Sequence, residues 1–345
     1  MDEALFYNAL AIATRSDYSR LARLQKTHGS WEKSWLHLLP IEKASLEPRE
    51  EYKKLETLNI RLILQEDSQY PKLLKEIPWP PFGLYFLGNT KALDGNTIAI
   101  VGTRKATQEG KELAKKFSEA FAHAHCTVIS GLALGIDAAS HAGALQAKGK
   151  TVGVLANGLD RFYPRENERL AKTILEQGGL MISEYPLGSP SLPYRFLERN
   201  RIISGLSRGI VLVEAPQSSG SLATARFAVE QNRDVFVVPG PVSHPNFFGS
   251  HELIRGGAEL VVSPENVLEA LHIEKNEASG TSGVLFETPE EEAILAALKQ
   301  STKPLSVDKI IELTNLKAKT ANQTISFLIL RNAIKETERG YSLFL

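Results

Sequence analysis

Short apolar runs alternate with helix-length stretches through the middle of this 345-residue chain, starting at Thr97. The runs are rich in Val and Ile, which favour strands, and most of them end near Gly, Ser, Asn or Pro. The predicted strands are TIAIVG, TVISG, TVGVLANG, LMISE, GIVLVEA and DVFVVPG. Strands separated by helices form parallel sheets, because each crossover helix returns the chain to the same end of the sheet. The pattern therefore predicts a doubly wound, Rossmann-like α/β domain.

The segments between these strands predict helices over Gly110 to Ala124, Ile136 to Ala147, Glu166 to Gln177, Arg195 to Leu206 and Leu222 to Gln231. Open sheets of this kind bind their ligands at the carboxyl ends of the strands. We therefore look for functional residues in the loops that follow the strands.

Both ends of the chain depart from this pattern. Apolar residues recur at helical spacing near the start, at Leu5, Ala9 and Ile12 for example. This predicts a small helical domain over 1–69, ahead of an α/β domain over 70–271. A polar segment with several Gly and Ser residues predicts a linker over 272–288. Three helical patterns followed by a hairpin predict a winged-helix domain over 289–345.

Composition limits the classes of function. Lys and Arg number 40, as do Asp and Glu, so the chain carries no overall charge that would attract a polyanion. Any nucleic-acid site must be local. The single cysteine, Cys126, excludes an internal disulfide and a cysteine-rich zinc site. The first residues lack a signal-peptide pattern, and no apolar run is long enough to span a membrane. We expect a cytoplasmic protein with no membrane segment.

Two strand-to-helix turns have the residues of phosphate cradles. One contains Gly102, Thr103 and Arg104, and the other contains Ser219, Gly220 and Ser221. The turn with Ser130, Gly131 and Gly135 repeats the arrangement of the first. Glycine permits close backbone approach, and a helix amino end offers free N–H groups to an anion. None of the turns fits the G-x-G-x-x-G dinucleotide motif or the P-loop, so the sequence predicts no NAD or ATP cofactor. The cradles suit either a chain of nucleotides or a single nucleotide.

Two further groups are candidates. The segment PYRFLERNRIISGLSR has four arginines and one acid, with Asn200 and Arg201 at the start of its apolar part. Asp137 and His141 are four residues apart on a predicted helix and could form a hydrogen bond. No nearby residue supplies a third ligand, so we predict no metal site there.

Taken together, these motifs resemble those of the DprA/Smf family of DNA-processing proteins. The resemblance extends from about Tyr70 to about Val262. It rests, in the same order, on VGTRKATQEG, SGLALGIDAASH, ANGLDRFYPRENERL, ISEYPLG, RNRIISGLS, VEAPQSSGSLATAR and VFVVPG.

The resemblance implies a homodimer that binds single-stranded DNA, protects it and helps to load the recombinase RecA in natural transformation. It implies no catalytic residue and no cofactor, and it identifies the helical amino-terminal domain as SAM-like. Carried over position by position, the DNA-binding residues would be Gly102, Thr103, Arg104, Ser130, Gly131, Gly135, Lys150, Asn200, Arg201, Ser219, Gly220 and Ser221, with Lys148 as the alternative to Lys150.

The alternative is a related Rossmann-like enzyme, a phosphoribohydrolase that cleaves nucleoside monophosphates. Such enzymes carry P-G-G-x-G-T-x-x-E, in which the final Glu is essential to the chemistry. Aligning Gly220 and Ser221 with the G-T of that motif puts Thr224 at the Glu position. Without that carboxylate the hydrolysis loses its main chemical group.

Overall fold

The computed structural model of the chain describes residues 3–43, 45–273, 288–301, 304–330, 333–337 and 340–343. The chain forms two compact units, Met1–Lys275 and Asn276–Leu345. Most of the predicted linker over 272–288 lies outside the described residues, so its character stays a prediction.

The first unit begins with a group of short helices whose ends are fixed by capping. The side chain of Asp17 accepts from the backbone N–H of Arg20, and the side chain of Ser30 accepts from that of Lys33. Such caps satisfy N–H groups that a helix leaves free at its start. The helices are α1 (Glu3–Ala13), α2 (Tyr18–His28), α3 (Trp31–Leu36), α4 (Pro40–Lys43) and α5 (Pro48–Thr57).

Within the described residues, the same unit contains a nine-stranded sheet. Its strands are β1 (Ile60–Leu64), β2 (Gly83–Gly88), β3 (Thr97–Val101), β4 (Thr127–Ser130), β5 (Thr151–Leu155), β6 (Leu180–Ser183), β7 (Gly209–Leu212), β8 (Asp234–Val237) and β9 (Glu259–Leu260). Their order across the sheet is β1-β2-β6-β5-β4-β3-β7-β8-β9. The strands from β6 to β9 in this order are parallel, and the β1–β2 and β2–β6 pairs are antiparallel.

Helices connect these strands and cover both faces of the sheet. One core contains Ile203 and Leu212, and another contains Phe117 and Val211. Strands buried on both faces are nearly continuous in apolar residues, which is the pattern that predicted them. The helices are α6 (Lys72–Lys75), α7 (Gln108–His123), α8 (Ile136–Gln146), α9 (Glu168–Glu176), α10 (Pro193–Gly205), α11 (Gly220–Glu230), α12 (Phe248–Arg255) and α13 (Pro264–Ala270).

The predicted Rossmann-like fold class is confirmed, and the five predicted crossover helices correspond to α7–α11. The boundary at residue 69 stays a prediction. Strand β1 lies before that boundary, yet it pairs with β2 and so belongs to the sheet.

The strand order also locates the switch point of the sheet. The chain moves outward from β3 through β4, β5 and β6, then returns to add β7 on the other side of β3. Loops after β3 and β7 therefore leave in opposite directions and open a crevice between them.

The second unit contains three described helices and an antiparallel hairpin. They are α14 (Pro289–Gln300), α15 (Val307–Thr314), α16 (Ala318–Leu330), β10 (Ile334–Thr337) and β11 (Gly340–Leu343). Ile294, Ile310 and Leu328 lie in its core. These elements occupy the predicted places, and the winged-helix assignment itself stays a prediction.

Candidate nucleic-acid interface

A cleft opens at the switch point, at the carboxyl ends of β3 and β7. This central cleft has a volume of about 820 Å³. Its charged lining residues are Arg104, Lys105, Arg199 and Asp137, three basic against one acidic, in a chain whose total charge is zero. The site therefore concentrates positive charge locally. Of the predicted residues, those that line it are Gly102, Thr103, Arg104, Asn200, Ser219, Gly220 and Ser221.

The loop after β3 presents Arg104 to solvent. The backbone N–H of Thr103 donates to the carbonyl of Glu214 at 2.8 Å, which ties this loop to the end of β7. The guanidinium of Arg104 lies over the ring of Phe196, 5.0 Å from its centroid. Among the described residues it has no hydrogen bond or ion pair, so its donors are free for a ligand.

The other predicted cradle is the amino end of α11. The hydroxyl of Ser219 caps this helix by accepting from the N–H of Ser221, and the two hydroxyls lie 2.7 Å apart. The side-chain amide of Asn200 donates to the carbonyl of Gly220 at 3.1 Å. Asn200 therefore fixes the position of the loop from α10, while the helix amino end faces the cleft.

The turn after β4, which repeats the arrangement of the first cradle, does not face the cleft. The hydroxyl of Ser130 is buried and donates to the carbonyl of Ile100 at 2.7 Å. The N–H of Gly131 donates to Asp137, and its carbonyl accepts from Arg199 at 2.7 Å. These groups are already satisfied within the protein, so Ser130 and Gly131 support the site from beneath it.

Gly135 has a packing role of the same kind. Its φ is +79°, and a Cβ there would meet the carbonyl oxygen of Thr103. Glycine is required because the turn before α8 passes against the backbone of the Arg104 loop.

Arg199 contacts both the central cleft and the buried residues beneath it. Its side chain is buried, lines the floor of the central cleft and also donates to the carbonyl of Val154. Burial lowers its pKa to about 10, and the nearby carboxylate of Asp137 opposes this shift. Arg199 therefore stays charged at neutral pH and adds a fixed positive charge below the cleft.

Arg201 is predicted to bind DNA, but the structure places it elsewhere. Its side chain is 1% exposed and forms an ion pair with Glu184 at 2.6 Å. The guanidinium lies 4.6 Å from the ring centroid of Trp79 and 5.8 Å from that of Tyr18. Adjacent residues on a helix point in different directions, so Asn200 faces the cleft and Arg201 faces the interior.

Lys150 is not brought to the cleft either. It directly precedes β5, which puts it at the amino end of a parallel strand, opposite the edge that carries the cleft. Its ammonium lies 3.5 Å from the carbonyl of Lys91. Residues that precede parallel strands lie at the edge of the sheet opposite to residues that follow them. Lys150 is therefore separated from the cleft residues.

A second cleft, which we call the side cleft, adjoins the central one. Its volume is about 900 Å³, and Arg104, Ala133, Tyr163 and Ser191 line both clefts. The rest of its lining includes Phe162, Pro190, the basic Arg161, Arg165 and Lys172, and the acidic Asp160, Glu166 and Glu168. Arg104 thus lies where two grooves meet.

Sequence reasoning missed the aromatic side chains of this region. The rings of Tyr163 and Phe196 lie 5.6 Å apart, and Tyr163 and Leu197 are exposed at the cleft wall. Exposed aromatic side chains beside arginines are typical of single-strand binding surfaces. The available signal was the loop ANGLDRFYPREN, which combines aromatic and basic residues directly after a predicted strand.

The predicted hydrogen bond between Asp137 and His141 is wrong. Asp137 accepts from the N–H groups of Gly131 and Ala133, whereas Nδ1 of His141 lies 2.7 Å from the hydroxyl of Thr151. Across the described ranges, no group of His, Cys, Asp and Glu side chains is arranged to hold a metal ion.

Glu214, at the end of β7, is a second buried carboxylate near the cleft, besides Asp137. It accepts hydrogen bonds from the backbone N–H and the hydroxyl of Thr107 and from the side chain of Asn246 at 2.7 Å. These contacts connect the start of α7 to the loop after β8. The carboxylate of Glu214 therefore has a structural role. Thr224, at the position of the catalytic Glu in the alternative reading, is buried.

Comparison with known proteins identifies the class of this fold and site. The family model for DNA recombination-mediator protein A matches residues 61–272. This chain belongs to that family, as its resemblance to DprA/Smf proteins predicted.

Individual proteins similar to this chain are also Smf and DprA proteins. The chain is 46% identical over 217 residues to Protein Smf of Escherichia coli, covering 63% of this chain and 58% of that protein. It is 42% identical over 202 residues to the DNA processing protein DprA of Streptococcus pneumoniae, covering 59% of this chain and 71% of that one. The match thus spans little more than half of the Escherichia coli relative.

Two solved structures share the fold. The X-ray structure of DprA from Streptococcus pneumoniae matches with a TM-score of 0.64 and 33% identity, covering 78% of this chain and 98% of that chain. DNA processing protein A from Helicobacter pylori matches with a TM-score of 0.56 and 30% identity, covering 62% and 96%. The latter structure concerns that protein's mode of binding single-stranded DNA. In the described part of this chain, no helix is both long and apolar enough to cross a membrane.

Proposed function

We propose that this protein binds single-stranded DNA along the central and side clefts and acts as a recombination mediator without a catalytic step. The observation that carries this proposal is that the two clefts meet at Arg104, whose guanidinium is exposed and has no other polar partner among the described residues. One nucleotide needs one pocket, whereas a continuous groove of two pockets suits a chain of nucleotides.

The chemistry of the groove supports a single strand. Guanidinium groups and a helix amino end bind phosphates, and the exposed ring of Tyr163 can stack on a base that is not paired. The bases of a duplex are stacked on each other and are not available to side chains in this way.

We also propose, from the family and from the resemblance that the sequence carries, that the protein forms a homodimer and delivers DNA to the recombinase RecA. Light scattering of the purified protein tests the dimer. The rate of RecA filament assembly on single-stranded DNA, with and without this protein, tests delivery.

The direct experiment is a gel-shift comparison of oligo-dT with a duplex of equal length, repeated over a range of salt. We expect preference for the single strand and a salt dependence with a slope of about −0.7 per phosphate contacted. Equal affinity for the duplex would contradict the single-strand proposal. Incubation with AMP or CMP should release no free base, and steady release would instead support the hydrolase alternative.

A further inference from the structure

Arg195 connects the side cleft to the amino-terminal helices. Its side chain is buried, and one guanidinium nitrogen donates to the carbonyl of Pro190 at 2.9 Å. Another donates to the carbonyl of Arg15 at 3.2 Å. Pro190 lines the side cleft. The backbone of Arg15 therefore lies at the rim of the groove, although Arg15 is 180 residues away from Arg195 in sequence.

The turn that carries Arg15 has an unusual backbone. Arg15 and Ser16 both have positive φ, at 56° and 57°. Residues other than glycine rarely adopt this conformation, because it strains the backbone of an L-amino acid. The turn is held by the bond from Arg195 and by the N–H of Ser16, which donates to the carbonyl of Ala11 at 2.8 Å. A costly turn held from both sides fixes the point from which the Arg15 side chain leaves.

The side chains on this rim resemble those inside the groove. Arg15 is exposed and has no ion pair within the described residues. Tyr194 is 51% exposed, and its ring centroid lies 5.9 Å from the same Arg195 guanidinium. Tyr194 follows Pro193, which lines the central cleft. The backbone of Arg15, whose side chain is exposed, and the exposed ring of Tyr194 thus both contact one buried arginine, just outside the groove.

We propose that a single strand bound in the two clefts continues past Pro190 onto Arg15 and Tyr194. Arg15 contacts a phosphate of the emerging strand, and Tyr194 stacks on one of its bases. The occupant is single-stranded DNA because positive charge beside an exposed aromatic ring matches its backbone and its unpaired bases. This inference rests on the proposed function and extends it to the amino-terminal helices.

The test compares short and long oligo-dT, about six and about twenty nucleotides, by fluorescence anisotropy with the full-length protein. A short strand fills the clefts alone, and a long one also reaches the rim. We expect Arg15→Ala to weaken binding of the long strand about fivefold. The slope of its salt dependence should fall by about 0.7, and affinity for the short strand should not change. Tyr194→Ala should also affect only the long strand, whereas Tyr194→Phe should bind as wild type does.

Four further variants separate the outcomes. Arg15→Gly removes the charge while suiting the left-handed backbone, so it should behave as Arg15→Ala does, and Arg15→Lys should restore most of the affinity. Arg49→Ala removes an exposed arginine elsewhere in the amino-terminal helices and should bind both strands normally. Arg104→Ala should weaken both lengths.

If Arg104→Ala weakens binding and Arg15→Ala leaves the long strand unaffected, the strand does not pass over the rim, and the proposed function still holds. An equal loss on both lengths in Arg15→Ala also overturns the rim contact, because it assigns the effect to the clefts or to folding. Normal binding of both lengths by Arg104→Ala contradicts the groove itself, and with it the proposed function.

Discussion

Arg201 and Glu184 form an ion pair at 2.6 Å in which both side chains are buried. Arg201 directly follows the cleft residue Asn200 in the sequence. Glu184 directly follows β6, and Arg201 lies on α10 beneath the rings of Trp79 and Tyr18. The pair therefore links the sheet, α10 and the amino-terminal helices, which makes Arg201 a structural residue.

Removing Arg201 should destabilise the protein rather than its complex with DNA. Arg201→Met leaves the carboxylate of Glu184 buried without its partner, which costs about 3–5 kcal/mol. Urea unfolding measures this loss. The double variant Arg201→Met with Glu184→Leu should lose less, because it leaves no unpaired buried charge. A stable Arg201→Met protein that no longer binds oligo-dT would instead make Arg201 a DNA contact.

Arg104 should contribute a phosphate contact without base preference. Arg104→Ala should weaken binding of oligo-dT and of mixed-sequence strands equally, by about tenfold, or about 1.4 kcal/mol. Arg104→Lys keeps the charge but loses the two-pronged geometry, so its affinity should be intermediate. Fluorescence anisotropy measures the change. Arg226→Ala removes an exposed arginine within α11, outside the cleft lining, and serves as the control.

Two glycines that the sequence treats alike should respond differently to alanine. Gly135→Ala puts a Cβ against the carbonyl of Thr103 at a φ of +79°, so it should cost about 1–3 kcal/mol and disturb the Arg104 loop. Gly220 has open space at its Cβ position and no positive φ. Gly220→Ala should therefore keep wild-type stability within about 0.5 kcal/mol. Urea midpoints compare the two, and equal effects would contradict the packing role of Gly135.

Stability should depend on pH through His141. Burial lowers the pKa of His141 to about 3, with a smaller contribution from Arg199. The unfolded chain takes up this proton below about pH 6.5, and the folded protein does not until near pH 3. The contribution of neutral His141 to the free energy of unfolding is complete above about pH 6.5. It falls by about 1.4 kcal/mol for each unit by which the pH is lowered from 6.5 towards 3.

The difference in unfolding free energy between wild type and His141→Gln isolates this contribution from other titrating groups. A difference that stays constant from pH 7 to pH 4.5 would show that His141 is not held neutral. Nδ1 of His141 contacts the hydroxyl of Thr151, which itself donates to Val128, so Nδ1 carries the proton of the neutral ring.

The sequence by itself determined the fold class and the edge of the sheet that carries the site. Strand-forming apolar runs alternate with helical stretches over short distances, so local pattern was enough to predict a parallel sheet. The same pattern predicted that Arg104 and Ser219–Ser221 lie together, because residues that follow parallel strands meet at one edge of the sheet. These residues line the central cleft.

Only the tertiary structure decided which neighbouring residues face the cleft. Asn200 and Arg201 are adjacent and equally polar, yet one faces the groove and the other the interior. Ser130 and Gly131 also follow a strand at the same edge of the sheet, yet the polar groups of both bond within the protein. Distant partners determine these directions: Glu184 for Arg201, Ile100 for Ser130 and Arg199 for Gly131. Sequence pattern records local periodicity, but contacts between distant segments form only when the chain is packed.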